Sequence, residues 1–259
     1  MQRISTDYGG RKMNTYLKMN TWSDSLGMCI PVDILMPNSL LRGQKAAKVM
    51  YLLHGLSDDE TVWARRTNLE MHVDGRGLCV VMPTVHRSFY TNIDQGPQYW
   101  TYISEELPEI IGRFLRVSSA REDTFAAGIS MGGYGAVKLG LRCPERFCAV
   151  APISGALDMK NQTNLLVEYE SIFGKQIKPE DDVMQLLDRC APSKEKPRII
   201  QFCGVDDFLR NDNIAFYQKA QQLGYDITYT EEHGNHGWSY WDHVILQVLD
   251  VLCPRPETV

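Results

Sequence analysis

A chain of 259 residues can bury a full core as one α/β domain, and nothing in its length calls for a second. With 44% hydrophobic and 23% charged residues and no low-complexity tract, its composition is that of an ordinary globular protein, not a disordered or fibrous one. The net charge of −5 has no block of Lys and Arg to offset it, which argues against nucleic acid or an anionic membrane as the main partner.

Two β-like runs, 17–22 and 28–36, are joined by a turn at 23–27 and alternate as an antiparallel edge hairpin should. Pro31 inside the second run also points to an edge. Residues 37–43 read as a loop. Residues 48–53 are a continuous apolar run, the mark of a strand covered on both faces and so of a parallel sheet. That run ends in His54-Gly55-Leu56, and a helix is expected over 61–71. A second buried strand at 78–83 precedes a long polar and aromatic loop, 84–96, after which apolar residues recur at helical spacing over 99–115. Strands are expected at 126–129 and 147–153, with a helix over 133–141 between them.

The stretch 154–191 is the least regular: polar over 157–164, amphipathic over 165–173 and helical over 181–190. It lies between two strands and reads as a small partial cap, an insertion at about 156–191; the alternative is a solvent-exposed decoration. A strand at 198–203, a helix at 213–223, a strand at 226–230 and a closing helix at 238–251 complete the chain. This alternation calls for a mostly parallel central sheet flanked by helices, with right-handed crossovers. With no internal repeat and no linker, a single domain over 1–259 is expected.

Seven cysteines are odd in number and scattered, with no Cys-x-x-Cys pair, so neither a zinc site nor a disulfide framework is indicated. Residues 1–7 contain no apolar core of a secretory signal, and no run approaches the roughly 18 residues of a membrane span. A reducing cytoplasm is the expected location.

The chemistry gathers around Gly128-Ile129-Ser130-Met131-Gly132, a Gly-x-Ser-x-Gly pattern with an apolar strand before it and a helix after it. In that setting the turn is a nucleophile elbow: the flanking glycines let two backbones approach closely, and the helix N-terminus favours negative charge at Ser130. A nucleophilic Ser needs a base, and the base an orienting acid, following it in the order acid then His on loops after strands. His236, between glycines at a strand-to-helix turn, is favoured over His233 at the strand end; His243 falls inside the final helix. The strand at 198–203 runs into Gly204-Val205-Asp206-Asp207, and the Gly-x-x-Asp spacing favours Asp207 over Asp206 as the acid. Two backbone N–H groups must face the developing oxyanion, and Met131 and Leu56 are the expected donors, with Gly55 permitting the close approach. His54 reads as a loop-packing residue that hydrogen-bonds backbone. Trp63, Trp100, Trp238 and Trp241 read as core or pocket wall; of the aromatic side chains, Trp63, Tyr99, Trp100 and Trp238 are the candidates to line a substrate pocket.

These residues, together with Pro144-Glu145-Arg146-Phe147, Ser154-Gly155-Ala156, Asp207-Phe208-Leu209 and Gly234-Asn235-His236-Gly237-Trp238, occur in one order. In that order they resemble the Putative esterase (esterase D-like) family of α/β-hydrolases, with its tributyrin-esterase branch the most similar, over roughly residues 15–253. The resemblance implies an α/β-hydrolase fold and a serine hydrolase without cofactor. It also implies a triad of Ser130, Asp207 and His236, with Leu56 and Met131 as oxyanion donors. Short-chain acyl esters, acetyl to butyryl, are the implied substrates, acetylated sugars among them. S-formylglutathione hydrolysis is the neighbouring alternative and would need a cationic subsite, for which Arg87 or Lys175 is available; feruloyl ester hydrolysis would need an aromatic slot at Tyr90, Tyr99 and Trp100. A catalytically inactive hydrolase-fold binding protein is the alternative outside enzymes, disfavoured because every triad position is filled. No His/Asp/Glu cluster has metal-ligand spacing, and the expected partner is a small-molecule ester, with a symmetric homo-oligomer unsurprising.

Overall fold

Strands without alternating polarity need cover on both faces, and the tertiary structure supplies it. The structure is a computed structural model and describes residues 14–38, 40, 46–162 and 167–256. Residues 1–7, positions 39 and 41–43 of the expected loop, and 163–166 of the irregular stretch lie outside the described residues. Among the described residues, eight strands form one sheet: β1 (Asn14–Ser23), β2 (Met28–Pro37), β3 (Lys48–Leu53), β4 (Leu78–Pro83), β5 (Thr124–Ile129), β6 (Ala149–Ile153), β7 (Arg198–Gly204) and β8 (Ile227–Glu232). Their order is β1-β2-β4-β3-β5-β6-β7-β8. β2 runs antiparallel to β1 and β4, and every other pairing is parallel.

The connecting helices are α1 (Val62–Arg66), α2 (Leu69–Val73), α3 (Tyr99–Thr101), α4 (Leu107–Phe114), α5 (Met131–Arg142), α6 (Tyr169–Phe173), α7 (Val183–Cys190), α8 (Arg210–Gln222) and α9 (Trp238–Leu252). Successive residues of β3 point to opposite faces, so its apolar run feeds two cores. Val49, Tyr51 and Leu53 pack with Tyr134 and Val137 of α5, Leu107 and Ile111 of α4, and Phe216 of α8. Met50 and Leu52 pack with Trp63 of α1, Leu69 of α2, and Val244, Ile245 and Val248 of α9. Full burial of each such side chain contributes roughly 1.5–3 kcal/mol, which is why the sheet tolerates no polar alternation here.

Three local expectations are corrected. The sheet edge is β1, not β2: Pro31 lies opposite Asn20 of β1 and just outside the four-residue pairing Val32–Leu35 with β4, so its missing N–H breaks no bond on that side. The expected helix over 61–71 is split into α1 and α2, because Thr67 is extended (φ −136°, ψ 169°). Its hydroxyl donates to the Trp63 carbonyl at 2.6 Å and accepts from the Leu69 N–H at 3.1 Å, replacing the helical ladder with local bonds. The expected helix over 99–115 contains a π-helical turn, Tyr102–Glu106, between α3 and α4. Pro108 has no N–H for the Ser104 carbonyl, which instead accepts from the Arg146 guanidinium.

The segment after β6 carries α6 and α7 and lies against α5. Tyr134 of α5 donates its hydroxyl to the Asp181 carbonyl at 2.5 Å, and its ring meets Phe173 and Phe89 edge-on at 6.2 and 5.8 Å.

Candidate active site

The parallel strands end at one edge of the sheet, and the loops that leave them carry the reactive side chains. Between β5 and α5, Ser130 sits at φ 54°, ψ −117°, a conformation that L-residues avoid. A Cβ on Gly128 would lie 2.6 Å from the Gly132 carbonyl carbon, and one on Gly132 would lie 2.7 Å from the Leu53 carbonyl carbon. Only glycine fits at either place, so the motif records the close approach of β3, β5 and α5. The Ser130 N–H donates to the Ile153 carbonyl at 3.0 Å, and its carbonyl accepts from Tyr134 N and Ala156 N, both at 3.1 Å.

His236 Nε2 lies 3.0 Å from Ser130 Oγ, and its Nδ1 lies 2.9 and 3.0 Å from the two carboxylate oxygens of Asp207. The base and acid loops are brought together by backbone contact, since a Cβ on Gly204 would come within 2.5 Å of the Gly234 carbonyl carbon. Asp207 is buried and also accepts from the Leu209 N–H at 2.8 Å. Burial pushes its carboxyl up, but the His236 contact, the Leu209 N–H and the Ser154 hydroxyl together hold it below its ordinary value of 3.8. A proton on Nδ1 is therefore held against a carboxylate, leaving Nε2 to accept from the Ser130 hydroxyl. Asp206 is exposed, as is His233, while His243 lies 3.4 Å from Glu232 on the outer side of α9.

Met131 is the first residue of α5 and Leu56 follows Gly55 in the turn after β3. That turn is pinned by His54, which is buried and bonded at both ring nitrogens: the Val85 N–H donates to Nε2 at 3.0 Å, which leaves the proton on Nδ1, 2.7 Å from the Gly55 carbonyl. Burial lowers the His54 pKa to about 4, the Gly55 bond opposing, so the ring is neutral at ordinary pH.

The aromatic candidates divide. Trp63 is fully buried, donates its indole N–H to the Leu53 carbonyl at 3.2 Å and meets Trp238 edge-on at 5.3 Å. No substrate can reach it, so as a pocket residue it is corrected to core. Trp100 is likewise engaged: the Arg142 guanidinium lies 4.1 Å and the Lys138 ammonium 5.0 Å from its ring centre. Trp238 stands one ring behind the site, edge-on to Trp241 at 5.2 Å. Tyr99 lines a cavity of about 290 Å³ with His86, Arg87, Glu168 and Ile172, and its hydroxyl is 2.8 Å from His86 Nδ1. Arg87 does not offer a free cation there, because Glu168 takes its guanidinium at 2.7 and 3.1 Å; Lys175 is exposed.

Two neighbours of the triad side chains escape sequence reasoning. Phe208 is 69% exposed and its ring lies 4.5 Å from that of His236; its place directly after Asp207 was the available signal. Ser154, on the strand end beside the elbow, enters the sequence reading only within the Ser154-Gly155-Ala156 motif, with no signal for its contacts. Among the described residues, no group of three or more His, Cys, Asp and Glu side chains is placed to hold a metal ion, and no helix is long and apolar enough to cross a membrane.

The profile of the Putative esterase family matches residues 23–250. An acetyl esterase of Caldicellulosiruptor saccharolyticus is 28% identical over 260 aligned residues, covering 92% of this chain and 96% of that protein. Two solved Staphylococcus aureus structures superpose closely. The fluorophosphonate-binding serine hydrolase FphF, with substrate bound, has a TM-score of 0.87 at 30% identity, covering 93% of this chain and 98% of that one. The S-formylglutathione hydrolase FrmB, as apoenzyme, has a TM-score of 0.85 at 31% identity, covering 92% and 98%. The chain belongs to the Putative esterase family and is a carboxylic ester hydrolase of α/β-hydrolase fold.

Proposed function

We propose that this protein is a serine carboxylesterase that hydrolyses short-chain acyl esters, acetyl to butyryl, through an acyl-enzyme on Ser130. The observation that carries the reading is the continuous line from Ser130 Oγ through His236 to Asp207, with every link at 2.9–3.0 Å and the Ser held in a strained turn at a helix N-terminus. In this mechanism His236 Nε2 takes the hydroxyl proton as Ser130 Oγ bonds to the ester carbonyl carbon. The oxyanion is held by the backbone N–H groups of Leu56 and Met131. Collapse breaks the bond to the alkoxy oxygen, which leaves with the proton from His236 Nε2. Water then attacks the acyl-enzyme with the same base, releasing the acid and restoring Ser130. Asp207 keeps the imidazole in the required tautomer and stabilises the imidazolium.

The segment 156–191 acts as a partial cap on a single domain in this reading, supported by its packing on α5 and by Glu168 on the cavity wall. The acyl preference follows the acetyl esterase relative. S-formylglutathione hydrolysis is the second reading and rests on the likeness to FrmB; the pairing of Arg87 with Glu168 disfavours it, because the tripeptide carboxylates would have to displace that partner. All seven cysteines are free, which supports a reducing cytoplasm as the working compartment.

The test is hydrolysis of p-nitrophenyl acetate, butyrate and octanoate beside S-formylglutathione and methyl ferulate, with Ser130→Ala as control. Acetate and butyrate should dominate, and Ser130→Ala should lower kcat by about 10⁵–10⁶-fold. A preference of orders of magnitude for S-formylglutathione would overturn the substrate assignment. Wild-type turnover by Ser130→Ala would overturn the triad.

A further inference from the structure

Two serines of this chain share one signature. Ser130 and Ser154 are both non-glycine residues at positive φ, 54° and 48°, and both stand at the C-terminal end of neighbouring parallel strands, β5 and β6. At Ser130 the strain exposes a nucleophile. At Ser154 it exposes nothing, because the residue is completely buried. Glycine would adopt this backbone without strain. A serine there is disfavoured by its backbone, so whatever favours it must come from the hydroxyl.

That hydroxyl is used twice. It faces the Asp207 carboxylate and is the smallest of the interactions that favour the ionised acid, after the His236 contact and the Leu209 N–H. It also accepts from the Trp241 indole N–H at 3.1 Å. With the indole N–H accepted on one side, the hydroxyl proton is free to point at the carboxylate on the other. The two partners stand on either side of the base: Asp207 binds His236 Nδ1, and the Trp241 ring meets the His236 ring edge-on at 5.0 Å. The backbone of the same segment sets the nucleophile, with the Ile153 carbonyl and the Ala156 N–H bonded to the two ends of the Ser130 peptide unit. The segment is itself anchored from behind. The Ser154 N–H donates to the Phe202 carbonyl at 2.8 Å, and fully buried Asn213 of α8 donates to both the Gly155 and Leu209 carbonyls at 2.8 and 2.9 Å. Leu209 is the residue whose N–H also binds Asp207. The last residue of β6 and the three that follow it, 153–156, therefore register the nucleophile, the acid and the wall of the base against one another.

We infer that Ser154 is a positioning residue of the ester hydrolase, orienting the Asp207 carboxylate, and through it His236, by the hydroxyl bridge from Trp241. It touches no substrate atom. The inference rests on the triad of Ser130, His236 and Asp207 proposed above, and its test separates the two. Ser154→Ala removes the hydroxyl and keeps the strain; Ser154→Gly removes both, so it should fold at least as readily as the alanine variant. Each is measured for kcat and KM on p-nitrophenyl acetate, for thermal unfolding, and for the downfield ¹H resonance of the His236 Nδ1 proton. Both variants should lose about 10–100-fold in kcat with KM within about twofold, the range found for residues that orient a reacting group. The Nδ1 proton resonance should move upfield and broaden in both, while Ser154→Gly melts at or above the temperature of Ser154→Ala. Wild-type kcat in Ser154→Gly, or a loss of kcat with an unmoved resonance, overturns the proposal. Wild-type turnover by Ser130→Ala, run beside them, would instead remove the triad on which it rests.

Discussion

The loops that bring Ser130, His236 and Asp207 together and the wall of the cavity beside Tyr99 are held by different means. Ser130, Asp207 and His236 stand on loops whose backbones touch, through Gly128, Gly132 and Gly204, where no side chain fits. The wall built from the 84–98 loop and the segment after β6 is held by side chains: buried Lys138 against Asp181 at 2.6 Å, Arg87 against Glu168 at 2.7 Å, and Lys178 against Asp94 at 2.7 Å. Backbone contacts cannot be altered one at a time; ion pairs can. The difference means that the cavity can change shape by single substitutions while the contact of Ser130, His236 and Asp207 stays fixed.

The strongest way to break the comparison is at the acid. Asp207→Asn keeps the shape but turns an amide toward His236 Nδ1, favouring the wrong tautomer, and should lower kcat about 10⁴-fold with little change in folding. Asp206→Asn alters an exposed carboxylate one residue away and should leave kcat within about twofold. Steady-state kinetics on p-nitrophenyl acetate checks both. Equal loss in the two variants would mean that the acid loop, not the one carboxylate, sets the base.

Within the wall, Lys138 should matter most to stability. Its ammonium is fully buried and bonded to Asp181, the Tyr90 carbonyl at 2.9 Å and the Thr91 hydroxyl at 2.8 Å, joining α5 to both wall segments. Lys138→Met removes the nearer partner of the buried Asp181 carboxylate and leaves only Arg142 at 3.8 Å, at a cost of up to about 3 kcal/mol in denaturant unfolding. The double variant Lys138→Met, Asp181→Leu should recover most of that loss, because neither of the two buried charges then remains and the part-exposed Arg142 keeps access to solvent.

A comparable effect should appear under acid. His54 titrates near 4 in the folded protein and near 6.5 when unfolded. Between those values only the unfolded chain binds the proton, so stability falls as pH drops from about 6.5 to 4 and the loss is complete below 4, reaching about 3 kcal/mol. His54→Asn, which cannot titrate, should flatten the stability profile over that window in urea titrations at successive pH values.

The meeting of Ser130, His236 and Asp207 was legible in the sequence because its constraints are local. Gly128 and Gly132 flank Ser130 for a steric reason visible within five residues, and strand ends followed by Asp207 and His236 have few readings. Non-local features were not legible. Ser154 reads as an ordinary turn residue, since its partners Asp207 and Trp241 are 53 and 87 positions away. Trp63 and Trp100 read equally as core or pocket wall, because an aromatic residue has the same composition signal in a core as in a cleft. The breaks at Thr67 and Pro108 follow from side-chain competition for backbone groups, which apolar periodicity does not register.

Arg87 gives the mildest and sharpest test of the wall. Its guanidinium and the Glu168 carboxylate are both partly exposed, with 48% and 34% of the side chains accessible, so solvent screens the pair and its loss should leave stability close to wild type. The pair nevertheless spans the cavity rim from the 84–98 loop to the segment after β6. Arg87→Ala should therefore move KM more than kcat, because the reacting groups on the glycine-packed loops are untouched, and Glu168→Ala should move it in the same direction. If both variants keep wild-type KM across the acyl and alcohol series while unfolding normally, the cavity is not part of the substrate path and the wall must be sought on the Phe208 side of His236. A change in kcat with constant KM would mean instead that wall and reacting groups are coupled, and that the division between backbone-held chemistry and side-chain-held pocket does not hold.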